Sequence, residues 1–362
     1  MEAETVSTGS PFNFEIVWHL PAGRVSLTTL KIEAKEEIFP LNHPFRISRG
    51  SRTEACVITV SVSDGQYTGR GEGVPIARYN QSTNSVLAQI ESIHVVGDLD
   101  RDKLPELLPA GAARNALDCA LWDLEARRCR KRAWELANIP IADQVETSFT
   151  ISLDTPEKMA AAAQGYSKSF REHDGAPGPL KLKLYGGDDV DLARVEAVHE
   201  IAPEARLLID ANESWSVEHY RKTVPALTEL GVELIEQPFP ADADDVLERL
   251  DHPIPVCADE SCHTTIDLPH LKNRYEAINI KLDKTGGLTE ALLLYQRARE
   301  NNFKILIGCM VCTSLSIAPA RLLAGNADWV DLDGPLLLAR DRDNGLPYRS
   351  GRIGMPAREL WG

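Results

Sequence analysis

Asp210, Glu236 and Asp259 each close a short apolar run, and successive members stand one strand–helix unit apart. A set of carboxylates with no His or Cys among its members is a hard-oxygen donor set, suited to Mg²⁺ rather than zinc. One such acid is ordinarily a solvated loop carboxylate; three at successive run ends are not. Lys181-Leu182-Lys183 precedes them, and period-two spacing puts both lysines on one face of a strand. Lys281 lies in a later apolar run, with Lys284 three residues on as a competitor.

These residue types suit carbon-acid chemistry. A proton beside a carboxylate is weakly acidic, because removing it puts a second negative charge on the same group. A divalent cation on the carboxylate oxygens stabilises the enediolate as it forms. The base must titrate near neutrality, and a free Lys does so only near about 10.4 unless desolvation or nearby cations lower it. Lys181 beside Lys183 supplies such a field. A carbon held between Lys183 and Lys281 could lose a proton to one and regain it from the other. The same pair also serves an elimination using a single lysine, so spacing alone leaves the reaction open.

The elements that must position these groups are legible as apolar runs. They are Thr147–Leu153, Leu180–Leu184, Arg206–Ile209, Val232–Ile235, Pro255–Ala258, Ala277–Leu282, Lys304–Ile307 and Trp329–Leu332. Their Val, Ile and Leu content is that of strands covered on both faces. Amphipathic stretches lie between them: Asp189–Ile201, Val217–Leu230, Thr289–Glu300 and Ser314–Leu323, the last containing Pro319. This α/β alternation predicts parallel strands with right-handed crossovers, closing as a modified TIM barrel of (β/α)7β form over residues 141–335. Strands two and six then face each other across it, and the charged residues crowd its carboxyl end, where such barrels place their active sites.

The N-terminal part reads as an α+β capping domain over residues 26–140, completed by about 336–362. Ser26–Glu33 and Cys56–Ser63 are strand candidates, Asp64-Gly65 is a hairpin signal, and Ser82–Ser92 and Ala112–Arg130 are helical. In the last, Ala113, Ala116, Leu117, Ala120, Leu121 and Leu124 keep a 3.6 period and predict a packed core face. Gly69-Arg70-Gly71-Glu72-Gly73 lacks the context of a phosphate loop and is expected to be a glycine-rich turn. Residues 1–25 read as an extension.

The chain of 362 residues carries 39 Lys plus Arg against 54 Asp plus Glu, a net charge of -15 that argues against nucleic acid or an anionic membrane as partner. No apolar run reaches the roughly 18 residues of a membrane span, and the start lacks a basic segment before an apolar core, so a cytoplasmic location is expected. The seven Cys show no disulfide spacing. Cys309 and Cys312 form one C-x-x-C, read as pocket wall together with Met310, Thr313 and Ser314. His263 is read as a bystander. Asp331-Leu332-Asp333, ending the eighth run, is either a cationic site or a solvated turn before Gly334-Pro335.

The K-x-K, the Asp-x-Asn at Asp210, the Glu-Gln-Pro at Glu236, the Ala-Asp-Glu-Ser around Asp259 and the Asn-Ile-Lys at Lys281 resemble the muconate-lactonizing subgroup of the enolase superfamily. The likeness runs from about His43 to Pro335, and Asn279–Ala291 in particular looks like the bacterial L-Ala-D/L-Glu epimerases. The resemblance implies that Asp210, Glu236 and Asp259 bind Mg²⁺ and that Lys183 and Lys281 are the acid/base pair. It implies that Lys181 supports the substrate carboxylate, that Asp331 and Asp333 grip the α-ammonium of a dipeptide, and that a mobile capping loop supplies a cation for its side-chain carboxylate. That loop is expected at Phe45–Glu54, with Arg49 first and Arg52 second as the clamp. The implied activity is dipeptide epimerisation, with a homo-oligomer by analogy. A cycloisomerase or β-elimination lyase on the same scaffold, or a ligand-binding homologue without catalysis, are the alternatives.

Overall fold

The computed structural model describes residues 30–93, 99–171 and 178–362. The extension read at 1–25, and residues 26–29 of the strand expected at Ser26–Glu33, lie outside the described residues. Strands β1 (Lys31–Ile47), β2 (Gly50–Ser63) and β3 (Thr68–Gly73) form an antiparallel meander in that order. The turn at Asp64-Gly65 forms as expected: the Asp64 carboxylate accepts the backbone N–H groups of Gln66 and Tyr67, at 2.9 and 2.7 Å. The segment Phe45–Glu54, expected to be a loop, is instead the tip of the β1–β2 hairpin. Phe45 pairs with Arg52 and Ile47 with Gly50, so only Ser48 and Arg49 turn. The register slips between Pro40 and Phe45, where Pro40 and Pro44 cannot donate to the ladder.

The glycine-rich stretch is also not a turn. It is β3, whose alternate glycines face the helix Ala112–Cys129. A Cβ at Gly69, Gly71 or Gly73 would collide with the backbone carbonyl of Ala120, Ala116 or Ala112. Period two in the strand thus meets period four in the helix along a seam with no side chain on one side. The predicted stripe from Ala113 to Leu124 is buried, and it packs on Ile58, Val60 and Val62 of β2.

After a short strand β4 (Val145–Glu146) comes the barrel: β5 (Phe149–Ile151), β6 (Leu180–Lys183), β7 (Leu207–Asp210), β8 (Val232–Glu236), β9 (Val256–Ala258), β10 (Ala277–Ile280), β11 (Lys304–Gly308) and β12 (Trp329–Asp331). All eight are parallel and adjacent in sequence order. The ring closes where Ser148 N–H donates to the Val330 carbonyl at 2.8 Å. Leu180, Leu182, Ile209 and Ile235 point outward into the core under the helices Pro156–Arg171, Asp191–Ile201, Val217–Glu229 and Leu288–Glu300. Leu208, Leu234, Cys257, Ala277, Leu306 and Trp329 plug the barrel interior. The helix expected over Ser314–Leu323 stops at Ala320 and tightens into a 3-10 turn over Arg321–Asn326; Pro319, inside its last turn, supplies no N–H to the helix.

The tail returns to the N-terminal part. Leu338 bridges Leu41, and Arg342 donates to Glu37, Thr59 and Glu72. Strands β13 (Tyr348–Arg349) and β14 (Arg352–Ile353) extend β4, and the Trp361 indole N–H reaches the Cys119 carbonyl at 2.9 Å. Among the described residues no helix is long and apolar enough to cross a membrane.

The strand–helix seam makes a direct prediction. Gly71→Ala should lower stability by about 1–3 kcal/mol through overpacking. Gly165→Ala, in a helix where a Cβ meets nothing within 4 Å, should be neutral or gain up to about 1 kcal/mol. Urea midpoints measure both, and an unchanged midpoint for Gly71→Ala would contradict the packing described.

Candidate active site

Parallel register brings the charged residues to one level. Lys183 pairs with Asp210 across β6–β7, and Asp210 with Glu236 across β7–β8. Asp259 follows β9 directly, and Lys281 follows β10 as the residue before a short helix, Leu282–Thr285. Asp331 ends β12. All of these side chains are buried. A buried charge survives only with partners, and here the partners are one another.

Oxygens of Asp210, Glu236 and Asp259 lie within 4.8 Å of one another, close enough to share one ion. Burial pushes Asp210 up, but Lys183, Lys181 and Lys281 outweigh it and hold its carboxyl down at about 2. Glu236 goes the other way, to about 7, through burial and the neighbouring Asp210 and Asp259. The rise at Glu236 reflects the crowding of three carboxylates, which a divalent cation between them would relieve. Glu236 Oε2 lies 2.6 Å from Lys181 Nζ and Asp259 Oδ1 2.7 Å from Lys284 Nζ, so a bound cation would share these oxygens with ammonium groups. The donor set fits Mg²⁺.

The lysines divide by the carboxylates they touch. Lys181 Nζ sits 2.6 Å from Glu236 Oε2, 2.7 Å from Asp331 Oδ2 and 3.6 Å from Asp210 Oδ2. Burial alone would depress its pKa; Asp331, Glu236 and Asp210 raise it well above the ordinary value, so it stays charged. Lys183 Nζ reaches Asp210 Oδ2 at 2.6 Å, and Lys281 Nζ reaches Asp259 Oδ2 at 2.6 Å and Glu236 Oε1 at 3.8 Å. The two thus approach one carboxylate triangle from opposite strands. Lys284 is turned away: its ammonium is spent on the Asp259 and Asn279 carbonyls, at 2.5 and 2.8 Å, and on Asp259 Oδ1 at 2.7 Å. That geometry makes it a prop for Asp259 and removes it as a rival to Lys281.

Asp331 and Asp333 are not in a solvated turn. Asp331 accepts from Ser148 Oγ at 2.6 Å and from Lys181, and Asp333 accepts the Thr150 N–H at 2.6 Å. Burial and the adjacent Asp331 push Asp333 up to about 7. Arg49, at the hairpin tip, hangs over the barrel mouth. It donates to the Asn212 carbonyl at 3.1 Å and pairs with Glu213 at 3.1 Å and Glu260 at 2.7 Å. Arg46 pairs instead with Asp154, and Arg52 makes no ion pair among the described residues. His263 packs edge-on against Tyr79, 4.6 Å between centroids. Burial pushes the Cys312 thiol well up, in keeping with an inert wall.

Several supporting contacts escaped the sequence reading, which had Asn279 and Gln237 only as members of motifs. Asn279 Nδ2 holds Glu236 Oε1 at 2.8 Å, and Gln237 Oε1 accepts the Asp259 N–H at 2.8 Å. Arg78 grips both oxygens of Glu213 at 2.7 Å. Asn212, Glu213 and Gln237 have positive φ, costing of order 1–3 kcal/mol each, a strain that clusters where strand ends must aim functional groups. Asn212, two residues past Asp210, was the one available signal, since Asn tolerates that conformation.

Metal linkage can be tested without substrate. At a Mg²⁺ concentration of 100 Kd the protein should gain about 2.7 kcal/mol of stability. Glu236→Gln should lose that gain while retaining its fold by circular dichroism. A Mg²⁺-dependent rise in Tm that survives Glu236→Gln would place the ion elsewhere.

Comparison with known proteins follows the same lines. Residues 30–137 match the family described as mandelate racemase / muconate lactonizing enzyme, N-terminal domain, and 161–359 match the enolase C-terminal domain-like family. The L-Ala-D/L-Glu epimerase of Escherichia coli (strain K12) is 44% identical over 324 residues, 89% of this chain and 98% of that protein. The N-acetyl-D-glutamate racemase of Pseudoalteromonas sp is 43% identical over 310 residues, 84% of this chain and 95% of that protein. Among solved structures, an enolase family member from Agrobacterium tumefaciens with homology to dipeptide epimerases, holding sodium and L-Ala-L-Glu, superposes with a TM-score of 0.87 at 46% identity, covering 92% of this chain and all of that one. The dipeptide epimerase from Methylococcus capsulatus, complexed with Mg and L-Arg-D-Lys, gives a TM-score of 0.81 at 31% identity, covering 90% of this chain and 96% of that one. With both halves matched and the fold shared throughout, the chain belongs to the mandelate racemase / muconate lactonizing enzyme family of the enolase superfamily.

Proposed function

We propose that this chain is a dipeptide epimerase that inverts the α-carbon of the C-terminal residue, with L-Ala-D/L-Glu as substrate pair. The observation that carries the reading is the pair of lysines, Lys183 and Lys281, facing a common carboxylate triangle from opposite sides of the barrel. Asp210, Glu236 and Asp259 would hold Mg²⁺, whose charge stabilises a substrate carboxylate as its neighbouring carbon loses a proton. Lys183 and Lys281 then exchange roles: one removes the α-proton from its face while the other delivers a proton to the opposite face. Lys181, fixed as an ammonium, balances negative charge beside Lys183. The relative named for dipeptides at 44% identity supports this assignment.

Substrate recognition follows from the remaining charges. Asp331 is largely committed to Lys181 and Ser148, so Asp333 is the carboxylate that receives the dipeptide ammonium. Arg49 receives the side-chain carboxylate, sharing a guanidinium that Glu213 and Glu260 already hold in place. In this reading the dipeptide is released from peptidoglycan and the enzyme works in the cytoplasm. A racemase of N-acetyl-glutamate would need no ammonium site, and Asp333 favours the dipeptide.

The first test is proton NMR in D₂O with Mg²⁺ and L-Ala-D-Glu. Loss of the glutamate α-proton signal with growth of the L,L diastereomer is expected; inert dipeptide alongside turnover of N-acetyl-D-glutamate would overturn the assignment. Asp333→Asn should lower kcat/KM for the dipeptide by about 30-fold or more, the scale of a lost buried charge partner. Because Asp333 titrates near 7, it is neutral below that pH and charged above it. KM should therefore rise as pH falls through 7 in the wild type, and Asp333→Asn should flatten that rise. A pH-independent wild-type KM would argue against a carboxyl in the ammonium site that changes charge near pH 7.

A further inference from the structure

The two bases are held by different parts of the molecule. Lys183 lies within a strand flanked by barrel strands on both sides. Lys281 stands just past the end of β10, at the start of the short helix Leu282–Thr285, and the following segment is clasped by the capping helix Ala112–Cys129. The Asp283 carboxyl is buried at that junction, and its Oδ1 accepts both the Val74 N–H and the Asn115 side-chain amide, each at 2.8 Å. The same Asn115 amide donates to the Glu72 carbonyl at 3.1 Å. Arg114 donates to the Thr285 carbonyl at 2.6 Å and to Gly286 at 3.2 Å, and Asp118 accepts from the Thr289 N–H at 3.0 Å. Gly286 and Gly287 have φ of +75° and +120°, and a Cβ at either would collide with Arg114 or Asp118. The clasp therefore fixes the backbone that carries Lys281 from the capping side, and Asp283 is its link closest to that lysine in sequence.

Resting on the proposed function, we infer that Asp283, held by Asn115 and Val74, is a positioning residue for Lys281 and not for Lys183. Asp283 touches neither base; it sets the position of the two-residue-distant backbone from which Lys281 reaches Asp259. A two-base enzyme provides an internal control for such a role, because the faces of the α-carbon report on the lysines separately. A generally weakened fold would slow both faces alike.

The test is α-proton exchange into D₂O, read into recovered substrate, for Mg²⁺-loaded enzyme with each diastereomer of L-Ala-Glu separately. Lys281→Ala identifies the Lys281 face as the one whose exchange it removes. Asp283→Ala and Asn115→Ala should slow exchange on that face by about 10- to 100-fold, the cost of a misplacement near 1 Å, and leave the other face within about two-fold. Asp283→Asn keeps the accepting Oδ1 and should restore most of the rate. Equal losses on both faces, or no loss, would overturn the inference while wild-type exchange upheld the proposed function. A wild-type enzyme that exchanges neither diastereomer would overturn both. If Asp283→Ala fails to fold, Asn115→Ala carries the test alone: slowing confined to the Lys281 face supports the inference, and equal slowing of both faces, or none, overturns it.

Discussion

Burying Asp210, Glu236 and Asp259 within 4.8 Å of one another is the constraint on which the rest of the molecule turns. Several kcal/mol per ion would be lost if these groups were desolvated without compensation. Compensation comes from lysines at matched register: Lys181 and Lys183 from β6, Lys281 from the end of β10, and Lys284 from behind. Below this charged layer the barrel is apolar, filled by Leu208, Leu234, Leu306 and Trp329, which offer the acids no partner. Above it, Arg49 and Arg78 cover Glu213 and Glu260. The opposite directions of Asp210 and Glu236, one held near 2 and the other pushed near 7, express a set of acids balanced to take up a cation.

The capping layer contributes geometry as much as coverage. Its helix lies against a strand with glycine at every second position, which brings backbone to backbone and leaves the far side of the helix free for Arg114, Asn115, Asp118 and Trp122. Those polar groups are buried, and each is satisfied by the segment after β10. Polar contacts between elements so distant in sequence fix orientation in a way that apolar packing alone does not. The hairpin tip reaches the mouth from another side, through Ser48 and Arg49 on the Asn212 carbonyl.

Much of this was legible in the residues. The barrel strands are continuous apolar runs, and period two assigns Lys181 and Lys183 to one face of theirs. Asp210, Glu236 and Asp259 were readable because each sits where its run stops. The glycines of β3 were not, since close approach to a helix is a tertiary fact and Gly-x-Gly-x-Gly ordinarily marks a turn. The hairpin over Phe45–Glu54 was missed because its alternation is broken by arginines that face the barrel mouth and solvent. Asn279, Gln237 and Asp283 act through hydrogen bonds to residues far away in sequence, and nothing in their local spacing points to those partners.

The central claim is that Lys183 and Lys281 act on opposite faces of one carbon. It is tested most directly by following deuterium incorporation from D₂O into both diastereomers of the dipeptide with Lys183→Ala and Lys281→Ala. Each variant should lose inversion yet keep exchange on one diastereomer, and the two should keep opposite ones. Exchange retained on the same diastereomer by both, or inversion surviving in either, would contradict the two-base account.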